Sequence, residues 1–376
     1  MEPQIHAWVQ VHSEPALSAG PLSAIPFGAK DIIETKGLST EYGSPIYKGR
    51  IGTTDAAIVR QIRQRGGILV GKTQTVAFAF RDPAPTRNPR DVTHTPGGSS
   101  SGSAAAVAAG TVPVTIGTQT GGSVLRPASF CGVTGFKASY GLLPMDGILP
   151  LAKSLDTLGF FTHTPSDMLA FWEAMGQSTG RDEDFPIAAP EPLPAVDPEM
   201  RIAFDDALVR LSRAGFKIHR IDIGAMLEKL TAANRTLMYY EGARVHRDRF
   251  AKYGDRLGAV AELVREGSRL SDNEYRDALT YIRDCKAKVQ ELYKVTPVIV
   301  VPAAPGPAPL GLSSTGDSRM NAPWTTLGTP AISIPMPVGS ALPLGLQLTA
   351  NHGEDARVIR TAIRVEQTFR GLDSKD

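Results

Sequence analysis

The most constraining feature of this sequence is a stretch of small residues from Thr95 to Gly141 that contains two glycine-flanked serines. Ser99 and Ser123 lie 24 residues apart (123 minus 99), and alanine, glycine and threonine dominate the segment between them. Glycines beside a serine let backbone amides approach a reacting atom, and small residues let two loops pack closely. The pattern is typical of an enzyme site built around a serine nucleophile.

Helix and strand patterns alternate along the chain, which is typical of an α/β protein. A helix is expected within 53–67 and another over 102–109, each followed by an apolar strand, at 68–70 and 112–117. The last third contains three more strand patterns before a closing helix. These are 298–304, 331–336 and 344–350, with the helix at 355–369. We therefore expect one large α/β domain over residues 1–376.

Two segments interrupt this alternation and divide the expected domain. Residues 178–198 are rich in proline and acidic side chains, which predicts a surface connection without regular structure. Residues 223–296 have a mainly helical composition and are expected to be an insertion. The core would then comprise residues 24–175 and 298–370.

Charge and composition exclude several classes of function. The 40 Lys and Arg residues nearly balance the 38 Asp and Glu residues, and no dense basic block predicts nucleic-acid binding. The two cysteines cannot form a disulfide framework, and no apolar run approaches the ~18 residues that span a bilayer. The seven histidines show no metal-ligand spacing. We expect a cytoplasmic protein that binds neither membrane nor metal.

Residues 66–73 match the phosphate-binding pattern G-x-x-x-x-G-K-[ST], with Lys72 in the lysine position. That loop must follow a strand and open a helix, whereas a helix pattern precedes these residues and GILV makes them apolar. A turn from helix to strand is the better interpretation.

Residues 98–102 match G-x-S-x-G, the pattern that would make Ser100 the nucleophile of an α/β-hydrolase. A hydrophobic strand should precede that motif, but residues 86–97 are polar and include two prolines. The pattern alone therefore does not favour Ser100 over its neighbour Ser99. Cys131, between Phe130 and Gly132, is expected to be a packing residue.

Several blocks, in this order, resemble the amidase signature family. They are PFGAKD at 26–31, GGSSSGSAAAVAAG at 97–110, GTQTGGSVLRPASFCGVTGFKASYG at 117–141 and SLDTLG at 154–159, followed by GTPAISIPM and LPLGLQL. The resemblance implies a single domain with a mixed central β-sheet covered by α-helices on both faces. It implies no cofactor.

The resemblance also implies roles for individual residues. Lys30, Ser99 and Ser123 would form a Ser-Ser-Lys catalytic triad, in which Ser123 is the nucleophile and Ser99 follows a cis peptide bond. The implied oxyanion hole consists of the backbone N–H groups of Thr120, Gly121, Gly122 and Ser123. A serine hydroxyl needs an adjacent base, and a lysine supplies one only when burial favours its neutral form.

The expected activity is hydrolysis of the carboxamide of a small molecule, with release of ammonia or an amine. Arg126 lies three residues after Ser123 and resembles the arginine that binds a substrate carboxylate in malonamidase-like members; a structural ion pair is the alternative. A second function is the glutaminase subunit of a tRNA-dependent amidotransferase, and a third is a scaffold without catalysis. A homodimer is left open as a partner arrangement.

Overall fold

A computed structural model describes residues 2–339 and 342–373, and in these residues eleven strands form one sheet. The strands are β1 (Trp8–Glu14), β2 (Pro26–Lys30), β3 (Ile68–Thr73), β4 (Val114–Gln119), β5 (Thr134–Lys137), β6 (Thr157–Thr162), β7 (Ile187–Pro190), β8 (Ile218–Ile221), β9 (Val298–Pro302), β10 (Ala331–Pro335) and β11 (Gly345–Ala350). Their spatial order is β1-β3-β2-β4-β6-β5-β10-β11-β9-β7-β8.

The sheet is mixed. Strands β3, β2 and β4 are parallel neighbours, and so are β9, β7 and β8. The remaining neighbours, including β4 with β6 and β10 with β11, pair antiparallel. Two parallel groups are thus joined by a central antiparallel block.

Eleven α-helices accompany the sheet within the described residues. They are α1 (Glu2–Ile5), α2 (Ala57–Gln64), α3 (Ser101–Ala108), α4 (Leu125–Cys131), α5 (Pro165–Ala174), α6 (Pro198–Arg213), α7 (Gly224–Tyr253), α8 (Ala259–Gly267), α9 (Asp272–Val295), α10 (Ala322–Leu327) and α11 (Asp355–Asp373). Strands β4, β6, β9 and β11 are buried at every residue, which requires cover on both faces of the sheet. The predicted α/β class with a mixed, covered sheet is confirmed.

Several helices begin where the sequence supplies a cap. Thr164 and Asp167 form a capping box at the start of α5, and Ser271 and Glu274 form one at the start of α9. Helices α7, α8 and α9 occupy most of residues 223–296, so the predicted helical character of this segment is confirmed. Its status as an insertion stays a prediction.

The expectation that residues 178–198 lack regular structure is wrong. Strand β7 lies within this segment, pairs in parallel with β8 and β9, and buries Ile187, Ala188 and Ala189 completely. Prolines flank these small apolar residues and obscure the strand pattern in the sequence. Strand β1, also not predicted, pairs at one edge of the sheet with β3. No helix of the described residues is long and apolar enough to cross a membrane.

His246 on α7 is a buried polar residue with no hydrogen-bond partner for either ring nitrogen in the described part of the chain. Its ring packs edge-on against Phe78, with 5.6 Å between the ring centroids. Burial lowers the pKa of His246 from 6.5 to about 3, and the nearby charge of Arg249 acts in the same direction. The folded protein therefore holds this imidazole neutral.

We expect His246 to make the protein less stable in mild acid. Because the folded-state pKa lies below the unfolded value of 6.5, the unfolded chain binds more protons, and stability falls as the pH drops below 6.5 toward 3. Between pH 8 and pH 5.5 this group should cost about 1.4 kcal/mol of unfolding free energy. Urea unfolding at both pH values should show this extra loss in the wild type relative to His246→Leu. Equal losses in the two proteins would contradict it.

Candidate active site

The elements that carry the predicted site residues meet at one edge of the sheet. Lys30 is the last residue of β2, and Gln119 is the last residue of β4. These strands are parallel neighbours, so their carboxyl ends lie side by side. Ser99 lies just before α3, and Ser123 lies in the loop between β4 and α4. All three predicted triad residues therefore belong to segments that end or begin at this edge.

Lys30 is completely buried, and its Nζ donates hydrogen bonds to Ser99 Oγ (2.7 Å) and Thr118 Oγ1 (2.9 Å). Burial lowers the pKa of Lys30 to about 7, although the carboxylate of Asp156 acts in the opposite direction. A lysine in this environment is partly neutral at physiological pH. It can therefore accept a proton from a hydroxyl that it contacts.

Ser99 is fixed through its backbone as well as its side chain. The Gly98–Ser99 peptide bond is cis, as expected, and the Ser99 carbonyl accepts from Val76 N–H (3.2 Å) and Thr75 Oγ1 (3.0 Å). A Cβ atom added at Gly98 would lie only 2.8 Å from Thr315 Cγ2. Only glycine therefore fits immediately before Ser99 without a shift of this neighbour.

Ser123 lies on the wall of a cavity of about 250 Å³, whereas Lys30 and Ser99 are buried and are not among the residues that line it. Gly121 and Gly122 line the same cavity. The Ser123 carbonyl accepts from the N–H of Ser100 (3.4 Å), which connects the Ser123 loop to the segment that carries Ser99. The solvent-accessible serine of the predicted triad is thus Ser123.

The loop from Thr120 to Ser123 has its carbonyl groups held by other parts of the protein. The Thr120 carbonyl accepts from Asn234 Nδ2 (3.1 Å), and that of Gly121 accepts from Thr325 Oγ1 (2.7 Å). The N–H groups of Gly121, Gly122 and Ser123 donate to no protein acceptor within the described residues. Three adjacent donors at a cavity wall can bind a negatively charged oxygen.

Asp156, which the sequence analysis did not single out, anchors the other side of this loop. Its carboxylate accepts from Thr120 Oγ1 (2.6 Å) and from the N–H groups of Leu151 (2.8 Å) and Ala152 (3.1 Å). Burial raises its pKa to about 6, against these hydrogen bonds. Its presence in the block SLDTLG is the signal that could have marked it. Asn234 and Thr325 carry no such signal, because they lie in α7 and α10.

Arg126 makes contacts that neither sequence interpretation included. Its Nε donates to the Thr315 carbonyl (2.6 Å), and its Nη2 donates to the Gly98 carbonyl (2.7 Å). It lines the cavity, and no carboxylate of the described residues lies within ion-pair distance of it. Asp317 interacts with Arg126 electrostatically from farther away and is paired with Arg319 (2.5 Å). The alternative of a structural ion pair therefore has no direct partner among the described residues, and the role of Arg126 stays a prediction. The guanidinium instead holds Gly98, the residue before Ser99, by this hydrogen bond to its carbonyl.

The charge of the cavity lining is positive. Arg81, Arg126 and Arg235 line it, and no Asp or Glu does so among the described residues. Arg235 is paired with Glu266 (2.8 Å), which lies outside the lining. The charges that face the cavity therefore favour an anionic ligand.

The residues of the rejected motifs have structural partners. Ser100 Oγ donates to the Thr118 carbonyl (3.2 Å) and is fully buried. Lys72 lies inside β3 and donates to the Ile33 carbonyl and to Thr40 Oγ1 (3.0 Å), so the interpretation of 66–73 as a turn from helix to strand is confirmed. Cys131 is buried, as expected for a packing residue.

Comparison with known proteins shows similarity over almost the whole chain. The family model described as Amidase matches residues 8–359. A glutamyl-tRNA(Gln) amidotransferase subunit of an Exiguobacterium species is 31% identical, with 95% of this chain and 86% of the relative covered. The corresponding subunit of Thermus thermophilus is 28% identical, with 92% and 85% covered.

Solved structures give the same result. A protein described as an amidase superimposes with a TM-score of 0.84 at 29% identity, covering 93% of this chain and 86% of that one. The same glutamyl-tRNA(Gln) amidotransferase subunit from Thermotoga maritima superimposes with a TM-score of 0.83 at 28% identity, covering 98% and 88%.

Proposed function

This chain belongs to the amidase family and is an enzyme that acts on amide C–N bonds, and we propose that it hydrolyses a small carboxamide through an acyl-enzyme on Ser123. The observation that carries the proposal is the buried hydrogen bond between Lys30 Nζ and Ser99 Oγ (2.7 Å), in a segment that is hydrogen-bonded through Ser100 to the cavity-lining Ser123. A base with a lowered pKa next to a serine pair is the arrangement that serine activation requires.

Acylation begins with two proton transfers. Neutral Lys30 accepts the proton of Ser99 while Ser99 accepts that of Ser123, and Ser123 Oγ attacks the carbonyl carbon of the amide. The carbonyl π electrons move to oxygen, and the resulting oxyanion is bound by the N–H groups of Gly121, Gly122 and Ser123. One such donor is typically worth about 10² to 10³ in rate.

The leaving group departs when the proton returns. Lys30 gives its proton back through Ser99 to the amide nitrogen, the C–N bond breaks, and ammonia or an amine leaves. A water molecule then attacks the acyl-enzyme after losing a proton along the same path, and Ser123 is regenerated with release of the carboxylic acid. The cavity that holds Ser123 admits both the substrate and this water.

The cavity charge supports a substrate that carries a carboxylate. Arg126 is almost completely buried, and burial lowers its pKa to about 10, so the guanidinium is still charged at neutral pH. Its described hydrogen-bond partners are carbonyl and hydroxyl oxygens, and the carboxylate of Asp317, which acts on it from a distance, is paired with Arg319. A carboxylate in the cavity would neutralise the charge of Arg126. A volume of about 250 Å³ suits a small acid rather than a peptide.

We expect Arg126→Gln to impair anionic amides more than neutral ones. Loss of a charge-assisted hydrogen bond should lower the ratio of kcat/KM for a dicarboxylic acid monoamide to that for its neutral homologue by about 10- to 100-fold. Activity on both will also fall, because Arg126 supports Gly98. Arg235→Gln is the control, since Glu266 already pairs with that guanidinium. An unchanged ratio in Arg126→Gln would exclude the carboxylate role.

The glutaminase subunit of an amidotransferase is a specific second candidate, favoured by the curated relatives. Glutamine is also a carboxamide with a carboxylate, but it carries a positively charged α-ammonium group, and no carboxylate lines the described part of the cavity to balance that charge. The test is ammonia release by the purified chain from glutamine and from monoamides of dicarboxylic acids. Activity on the monoamides alone supports a free-standing amidase. Glutaminase activity that appears only with amidotransferase partner proteins and tRNA supports the second candidate.

A further inference from the structure

Asn234 on α7 is a nearly fully buried amide beside the Ser123 loop, far from any recognised motif in the sequence. Its Nδ2 donates to the Thr120 carbonyl (3.1 Å) and to Thr326 Oγ1 (3.0 Å). Thr326 Oγ1 donates its own hydrogen to the Ala322 carbonyl (2.7 Å), so it can only accept from Asn234. Both neighbours require a donor, which fixes the orientation of the Asn234 amide with its nitrogen facing them.

This orientation leaves the side-chain oxygen of Asn234 directed toward the cavity. A Cβ atom built on Gly121 would lie 3.6 Å from Asn234 Oδ1, 3.5 Å from Ser318 Oγ and 3.6 Å from Met238 Cε. All four residues line the cavity. In the part of the chain that the structure describes, no protein group donates to Asn234 Oδ1. An amide oxygen that is open to the cavity and has no protein donor is available to a ligand that supplies one.

The Oδ1 atom of Asn234 lies where it can accept a hydrogen bond from the amide nitrogen of a bound substrate. In an amide, the carbonyl oxygen and the nitrogen are bonded to the same carbon and lie in one plane with it. When the carbonyl oxygen is bound by the N–H groups of Gly121 to Ser123, the nitrogen lies at the edge of that loop. The Oδ1 atom of Asn234 lies next to Gly121 there, beside the hydroxyl of Ser318, and unlike that hydroxyl it can only accept.

We propose that Asn234 is a specificity-determining residue whose Oδ1 accepts an N–H hydrogen of the scissile carboxamide, so that the site favours primary amides over esters of the same acid. The inference rests on the proposed amidase function. An ester has an alkoxy oxygen in place of the N–H group, so it leaves Oδ1 without a donor. A site built to hydrogen-bond an N–H rejects analogues that lack it.

The experiment compares Asn234→Ala with the wild type on a primary amide and on the methyl ester of the same acid. We expect kcat/KM for the amide to fall about 10-fold more than kcat/KM for the ester, because only the amide loses a partner. If Asn234 merely held the Thr120 carbonyl, both substrates would lose activity equally, since both use the same oxyanion donors. Equal losses would overturn the proposal.

Thr325→Val is the matched control. Thr325 Oγ1 donates to the Gly121 carbonyl (2.7 Å), so this variant disturbs the same loop without removing the Asn234 oxygen. Amide and ester hydrolysis should fall together in it. Asn234→Ser provides a second variant if Asn234→Ala folds poorly, with the same amide-selective loss expected. If wild-type activity did not depend on Ser123, the proposed function itself would fail, which is distinct from a Ser123-dependent enzyme with equal losses in Asn234→Ala.

Discussion

Replacing Ser123 with alanine should reduce kcat/KM for carboxamide hydrolysis by at least about 10⁴-fold, to a level close to the detection limit. Ser123 is the serine of the predicted triad that lines the cavity, and its own N–H group is one of the unpaired donors there. Removal of its hydroxyl leaves the oxyanion donors in place but removes the atom that attacks. The measurement is ammonia release under kcat/KM conditions, with circular dichroism to verify folding.

Ser100→Ala is the matched control for this variant. Ser100 belongs to the simpler serine-hydrolase pattern, but its Oγ is fully buried against the Thr118 backbone. It should retain activity within about 10-fold of the wild type, because it loses only two neutral hydrogen bonds, both to the Thr118 backbone, and no reacting group. A Ser123→Ala enzyme that retained wild-type activity, or a Ser100→Ala enzyme that lost all of it, would exclude the assignment of Ser123 as the nucleophile.

Replacing Lys30 with methionine should have an effect of similar size, about 10⁴-fold in kcat/KM, because no other described group contacts Ser99 Oγ as a base.

In the wild type, kcat/KM should increase with pH through an apparent pKa near 7. The sign follows from the chemistry, since the reactive form of Lys30 is the neutral one and burial has lowered its pKa to about 7. A pH profile between 6 and 9 gives this measurement.

Lys137→Met is the control for the pH profile. Lys137 is also fully buried and has its pKa lowered to about 7, but its Nζ donates to the Ala138 carbonyl and does not contact Ser99. The variant should keep the wild-type dependence on pH. A flat profile in the wild type, or loss of the pH dependence in Lys137→Met, would argue against Lys30 as the group that titrates.

Three of the predicted strands, β4, β9 and β11, are buried at every residue. The apolar run at 298–302 forms β9, a strand whose two faces are both covered. Such a run can be recognised in the sequence without knowledge of the strands that pair with it. Strand β7 was missed because its four residues lie between prolines and become recognisable only through pairing with β8 and β9. Pairing partners distant in the chain are not visible in a local pattern.

In the site, too, the residues that form a local pattern were predicted, and those that depend on contacts with distant parts of the chain were not. Ser99, Ser123 and the glycines beside them were found because close backbone approach demands small residues in a fixed local order. Asn234 and Thr325 hold the carbonyls of the Ser123 loop from helices more than 100 residues away, and neither residue type is unusual in a helix. The contact of Arg126 with the Gly98 carbonyl was equally hidden, since both carboxylate binding and an ion pair fitted its position in the sequence.

The central claim, a covalent acyl-enzyme on Ser123, can be tested directly by mass spectrometry. The protein is mixed with the p-nitrophenyl ester of a small dicarboxylic acid, quenched in acid during the first turnover, and digested for peptide mapping. Because no Lys or Arg separates Ser123 from Ser99 and Ser100, the peptide is fragmented to localise the acyl group. We expect it on Ser123 and expect it to be absent in Ser123→Ala. An acyl group on Ser99 or Ser100, or one that persists in Ser123→Ala, would contradict the proposed mechanism.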